Sequence, residues 1–162
     1  MTSITIENPK TMEVRVLETD VSETTITHDL QEVLIDEVTL SKNINNLNVP
    51  AEVKLLLAEI KSFSITVGDV AVNIGRKILE VLIYIIKENP KAAMGMLIGG
   101  LIGFILSSIP VIGWALSWLI QPLFMALGLG VGYVQDIQDT KLRQQIESVV
   151  GDVFKTVKNI KI

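Results

Sequence analysis

At 162 residues and 17.8 kDa the chain is one domain's worth of polypeptide. It holds no cysteine and one histidine, which excludes disulfide scaffolds, thiolate metal centres and histidine-rich sites. A net charge of −4 with a pI near 5.0 speaks against general nucleic-acid binding, which needs a basic surface to displace phosphate counterions.

Apolar residues at 49% are ordinary, but a mean hydropathy of +0.47 alongside 20% charge is high for a soluble chain. The cause is uneven placement: no Asp, Glu, Lys, Arg or His occurs from Ala92 to Gln135. Four segments follow: an acidic one over 1–50 (net −6), a mixed one over 51–91 (net +1), the uncharged 92–135, and a second mixed one over 136–162 (net +1).

In residues 1–50, Ile4 and Ile6 alternate with polar residues, as do Met12, Val14 and Val16, with Glu7-Asn8-Pro9-Lys10 between. The pattern predicts two short strands in a hairpin. Thr24 to Thr27 is expected to add a strand, Asp29 to Leu40 is open between strand and helix, and Asn43 to Pro50 has the turn chemistry of a linker. Met1 to Lys10 lacks a basic start and an apolar run, so no signal peptide is expected and any membrane address falls in the internal apolar stretch.

Residues 51–91 predict one or two amphipathic helices. Val67, Ala71, Ile74, Ile78, Val81 and Ile85 recur at three- and four-residue steps, while Asp69, Asn73, Arg76, Lys77, Glu80 and Lys87 fall mostly on the other face. The β-branched stretch Ser62 to Gly68 is a possible interruption. In 136–162, Leu142, Ile146, Val149, Val153, Val157 and Ile160 make a helical seam, and Lys155, Lys158 and Lys161 fall where cations suit a helix C-terminus.

The uncharged stretch is too long for one membrane helix and right for a hairpin of two. Ser108, Pro110 and Gly113 supply the turn, because proline disfavours helical geometry at the residue before it. The eight Leu, Ile and Phe residues of the first arm up to Ile109 are worth on the order of −2 to −5 kcal/mol on an insertion scale, so a shallow or tilted hairpin is as reasonable as a full crossing. The second arm runs from Val111 to Gln135 and should kink at Gln121-Pro122. Trp114 and Trp118, just after the turn, and Tyr133 at the far end are candidate membrane-interface anchors; the two tryptophans read equally well as core residues. Basic residues flank both ends and none lies in the turn, which places both termini on the cytoplasmic side or the side of insertion.

Glycine spacing is the sharpest local pattern. Gly95, Gly99, Gly103 and Ser107 recur every four residues, and Gly128 and Gly132 repeat the step. On a helix such residues form a ridge that lets another backbone approach closely, the usual basis of helix association in lipid.

The Gly95/Gly99/Gly103 series resembles the glycine zippers of membrane channel and vacuolating-toxin proteins. An uncharged hairpin between amphipathic helices, here over residues 67–160, is similar in layout to the insertion hairpin of pore-forming colicins. The two-lobed apolar stretch also resembles inclusion-membrane proteins of intracellular bacteria and short curvature-inducing membrane proteins. Each likeness is one of layout and assigns the chain to no family.

Motifs for catalysis are missing: neither a phosphate-binding G-x-x-x-x-G-K-[ST] nor H-E-x-x-H occurs. His28 reads as a surface or capping residue and Asp36-Glu37 as solvated charge. The sequence therefore points to a mainly α, non-enzymatic protein with no cofactor or metal and no nucleic-acid partner. Its expected partners are a lipid bilayer, further copies of itself and a protein bound by residues 1–50. The leading expectation is a membrane-inserting, self-associating protein that permeabilises a bilayer, as a toxin or cell-killing effector would. A membrane scaffold or curvature protein that opens nothing is the alternative. A third reading is a soluble oligomer that hides the hairpin, since the flanking helices are expected to be too few to cover two apolar arms alone.

Overall fold

Ile4 and Ile6 set the first strands, because both need a buried face. In the computed structural model, which describes residues 1–32, 35–128 and 140–160, β1 (Thr2–Glu7) and β2 (Val14–Thr19) pair antiparallel from Thr2 opposite Thr19 to Glu7 opposite Val14. Asn8 organises the turn, its side-chain oxygen accepting from the Lys10 and Thr11 amides at 3.0 and 3.2 Å. The register puts Ile4 beside Leu17 and Ile6 beside Arg15, so the inward face of β2 carries Arg15 and Leu17. Val14 and Val16, which their alternation marks as a buried set, face outward and are exposed. The partner strand decides the face, and a side-chain period of two permits no compromise.

The predicted strand at Thr24–Thr27 is helix instead. Ser22 accepts from the Thr25 amide at 3.2 Å and starts α1 (Glu23–Gln31). Asp36 starts α2 (Glu37–Asn45) by accepting from the Thr39 amide at 2.8 Å. In both, a capping side chain overrides β-branched propensity. The stretch read as a linker begins inside α2; only Asn46 to Pro50 connect to α3 (Ala51–Lys61).

The interruption expected near Ser62–Gly68 is a second hairpin, β3 (Ile65–Val67) and β4 (Val70–Val72). Gly68, at φ +60, opens its two-residue turn with the positive φ that a type II′ turn requires. Val67 and Ala71 are thus strand residues rather than part of a helical stripe. β3 pairs with β1, Ile4 opposite Val67, giving a four-stranded antiparallel sheet of order β2-β1-β3-β4. Two hairpins far apart in sequence build it, which answers how such short strands find a core.

α4 (Ile74–Glu88) follows at once, capped by Asn73, which accepts from the Arg76 amide at 2.8 Å and donates to the Lys61 carbonyl at 2.9 Å. A Cβ at Gly75 would lie 1.6 Å from the Ile60 carbonyl oxygen, so α3 and α4 touch backbone to backbone there. α5 (Met94–Ser108) is the central helix. The chain then turns through α6 (Pro110–Leu116), one 3-10 turn at Ser117–Leu119, and α7 (Ile120–Ala126). α8 (Thr140–Val153) lies against α4 and α5.

The buried stripe of α8 is Leu142, Ile146 and Val150, continued by Phe154 in the turns beyond. Val149 and Val153 of the expected seam are half-buried at its side. Lys155 and Lys158 lie past the last helical residue, and Lys161 lies outside the described residues. The fold is therefore mainly helical, with a small antiparallel sheet, around one continuous apolar core.

Candidate functional site: the uncharged segment and its walls

The uncharged stretch forms the middle of that core. On α5, Leu97, Ile98, Leu101, Ile102 and Ile105 are each no more than 2% exposed. α4 and α8 pack on α5, α3 packs on α7, and β1 packs on α6. Among the described residues of the stretch, Met125 is the one large apolar side chain that is exposed. Its outer positions are otherwise Ala93, Ser107, Ser108, Pro110, Ser117, Gln121, Pro122 and Gly128. For the described part of the stretch the expected shortage of covering elements is thus not found: the sheet, α3, α4 and α8 cover it, because α4 is itself buried on most of its circumference.

Among the described residues no single helix is long and apolar enough to cross a membrane; α5 together with Pro110–Ala126 passes on length and composition, with a bend of 114° between them. Ile109, in extended conformation, makes the bend, and Pro110 opens α6 at its first position, where a missing N–H costs nothing. Gly113 lies inside α6, at a close approach its sequence does not show. A Cβ there would sit 2.1 Å from the Leu106 carbonyl oxygen, so the first turn of α6 lies directly on the last turn of α5. Ser108 at the end of α5 donates back to the Phe104 carbonyl at 2.6 Å, and Ser107 to the same oxygen at 3.1 Å.

The second arm is not one helix kinked at Gln121-Pro122. It breaks earlier, at the 3-10 turn, and Pro122 falls in the first turn of α7, which tolerates it. The part of this arm beyond Gly128, with Gly132 and Tyr133, lies outside the described residues.

The glycine ridge divides. Gly99 and Gly103 are buried, Gly95 is half-buried, and Ser107 is exposed. Among the described residues a Cβ on Gly95 would meet the Leu127 carbonyl oxygen alone, at an ordinary 3.8 Å, so no described neighbour requires glycine there. Gly128 serves as a turn after α7, at φ +75.

Trp114 and Trp118 are half-buried under the β1–β2 hairpin. The Arg15 guanidinium stands 4.7 Å from the Trp114 ring centre and the Lys10 ammonium 4.6 Å from that of Trp118, within cation–π range. This stacking explains an arginine on the inward face of β2. The Trp118 indole nitrogen is buried with no hydrogen-bond partner among the described residues, a state that costs about 1–3 kcal/mol.

A cluster of charges beside this core escaped sequence reasoning. Lys77 and Glu80, expected on a solvated face of α4, are 3% and 2% exposed. Glu80 lies 3.1 Å from Arg76 Nε and 3.6 Å from Lys77 Nζ. Lys77 also donates to the Glu32 carbonyl, and Arg76 donates to that of Ile35 at 3.0 Å. Glu37, read as solvated charge, pairs with Arg76 Nη1 at 3.0 Å and with Lys61. The Lys61 side-chain bond, followed by the attraction of Lys61 and Arg76, holds the Glu37 carboxyl below its ordinary value. Asp36 is lowered by the Thr39 amide and then the Thr39 hydroxyl. The i, i+4 and i, i+3 spacings of Arg76, Lys77 and Glu80 were a usable signal; their pairing with residues 32–37 was not. His28 is exposed, 3.5 Å from Asp29.

Comparison with protein-family models, curated proteins and solved structures gives no match to this chain.

Proposed function

We propose that the protein is a non-enzymatic, membrane-inserting protein that stores its uncharged segment inside a folded form and, once that segment is released, self-associates and permeabilises a bilayer. The observation that carries this reading is the placement of the segment. A run with the length and composition for a bilayer is packed inside walls that hold all the charge.

Moving an apolar helix from protein core to lipid core exchanges one apolar environment for another, so the transfer sacrifices little hydrophobic energy. α5 at 15 residues is roughly 22 Å long, short of the ~30 Å hydrocarbon layer, which suits a shallow hairpin whose two ends stay on one side. At a membrane interface the Trp118 nitrogen, unpartnered among the described residues, gains water and headgroup partners. The ridge of Gly95, Gly99 and Gly103 would then be free to pack against other copies. Action as a toxin or cell-killing effector fits this cycle.

One observation favours a second reading, a soluble protein for which the stretch is simply core: the outer positions of α5–α7 are mostly Ser, Pro and Gln. Met125→Lys separates the two. Met125 is 70% exposed, so folding stability should change by no more than ~0.5 kcal/mol. A lysine in an inserted arm costs about 2.5–3.5 kcal/mol near the bilayer centre. The parent should bind liposomes and release entrapped dye, and Met125→Lys should fold normally and release much less. A parent that stays soluble without lipid and releases nothing supports the core reading.

A further inference from the structure

α3 walls α7 and α4 walls α5, and the two walls also touch one another at Gly75 and Ile60, so release of the apolar segment has to loosen both. One short part of the chain, Glu32 and residues 35–45, is bonded to both. From α3, Lys61 reaches Glu37 and donates to Ser41 Oγ at 2.9 Å, and Lys54 donates to the Asn45 carbonyl at 2.7 Å. From α4, Arg76 reaches Glu37 and the Ile35 carbonyl, and Lys77 reaches the Glu32 carbonyl. Four cations of the walls thus converge on one segment of the acidic N-terminal part. Its single carboxylate in those contacts, on Glu37, touches both walls at once.

From this arrangement we infer that α2 and its N-terminal lead are an electrostatic strap that ties α3 to α4 and keeps the uncharged segment stored. The inference rests on the membrane-inserting reading and adds its control. The strap can loosen without stranding a buried ion, because Glu80 keeps Arg76 and Lys77 on its own helix. Glu37 is half exposed, so water and salt ions reach it and its pairs are open to screening. A surface rich in anionic lipid offers Lys54, Lys61 and Arg76 the same chemistry that Glu37 supplies, and is the natural competitor for them.

The test compares the full-length parent with Glu37→Gln and Glu37→Lys by amide hydrogen exchange and by dye release from vesicles of mixed anionic and zwitterionic lipid. A third variant, Ile146→Ala in α8, serves as a control for general destabilisation. In the parent, exchange over 37–45 should quicken several-fold between low and high salt. In Glu37→Gln that salt response should largely vanish, with fast exchange throughout. Dye release should rise from parent to Glu37→Gln to Glu37→Lys, and at equal loss of melting temperature should exceed that of Ile146→Ala.

Equal leakage of Ile146→Ala and the Glu37 variants would overturn the strap, since any loosening would then serve. An unchanged salt response in Glu37→Gln would overturn it too. If exchange behaves as stated and no variant releases dye, the strap stands as a tie between α3 and α4 and the membrane reading fails.

Discussion

The two arms of the uncharged segment share a composition and differ in shape. The first is one unbroken helix, α5, buried through its middle from Leu97 to Gly103. The second is cut into α6, a 3-10 turn and α7, with its outer positions in water. Hydropathy treats them alike. Backbone punctuation separates them, through Pro110 at the bend and Gly113 pressed on Leu106. The lesson is that an uncharged run states where a chain avoids water, whereas prolines and close-packed glycines state whether it runs straight.

Paired substitutions sharpen that contrast, and the lysine pair has the largest expected effect. Ile102→Lys puts an ammonium where the side chain is 2% exposed; the cost should exceed ~4 kcal/mol, a large part of a domain's whole stability. That variant should fail to accumulate in soluble form, while Met125→Lys on the second arm accumulates normally. Equal yields of the two would mean that the arms are not packed differently.

Alanine at two glycines comes next. Gly113→Ala drives a Cβ into a backbone oxygen 2.1 Å away and should lower stability by about 1–3 kcal/mol, read as a loss of melting temperature. Among the described residues Gly95→Ala on the first arm meets only ordinary contact and should raise stability by up to ~1 kcal/mol through helix propensity. Opposite signs from one substitution distinguish a bend that needs glycine from a helix that does not.

Arg15→Ala removes the cation over Trp114. A loss of about 0.5–1 kcal/mol is expected, with a shift in tryptophan emission. Unchanged emission would detach the hairpin from the second arm.

The smallest effect is acid sensitivity. Glu37 is lowered from 4.5 and Asp36 from 3.8, so each stabilises the fold above its unfolded value and loses that contribution as pH falls through the lowered one. With the intrinsic pH dependence of amide exchange divided out, protection of the α2 amides should be flat above pH 4.5 and fall below it. A fall beginning near neutrality would point to a different group.

What was legible in the sequence follows the same physics. The β1–β2 hairpin, the turn at Ser108–Gly113 and the helical character of 74–88 all rest on local patterns of burial or proline, which act within a few residues. The inward face of β2 was missed because Arg15 is placed by Trp114, a hundred residues on in the chain. α1 was missed because one cap at Ser22 outweighs four β-branched neighbours. The charge cluster was half visible: the Arg76, Lys77 and Glu80 spacing is local, whereas Glu37 and the carbonyls of Glu32 and Ile35 arrive from another element. The β3–β4 hairpin was hidden inside a helical period that Val67 and Ala71 join only by accident.

The central claim is that the uncharged segment leaves its walls for lipid. The two tryptophans, both on the second arm, report that directly. Fluorescence should be measured on adding vesicles whose acyl chains carry bromine, a quencher that acts only at contact. Insertion of the hairpin brings Trp114 and Trp118 from beneath Arg15 and Lys10 to the edge of the hydrocarbon, and their emission should be strongly quenched relative to vesicles without bromine. Emission that is identical in the two kinds of vesicle, with the protein bound to both, would show that the segment never leaves its core.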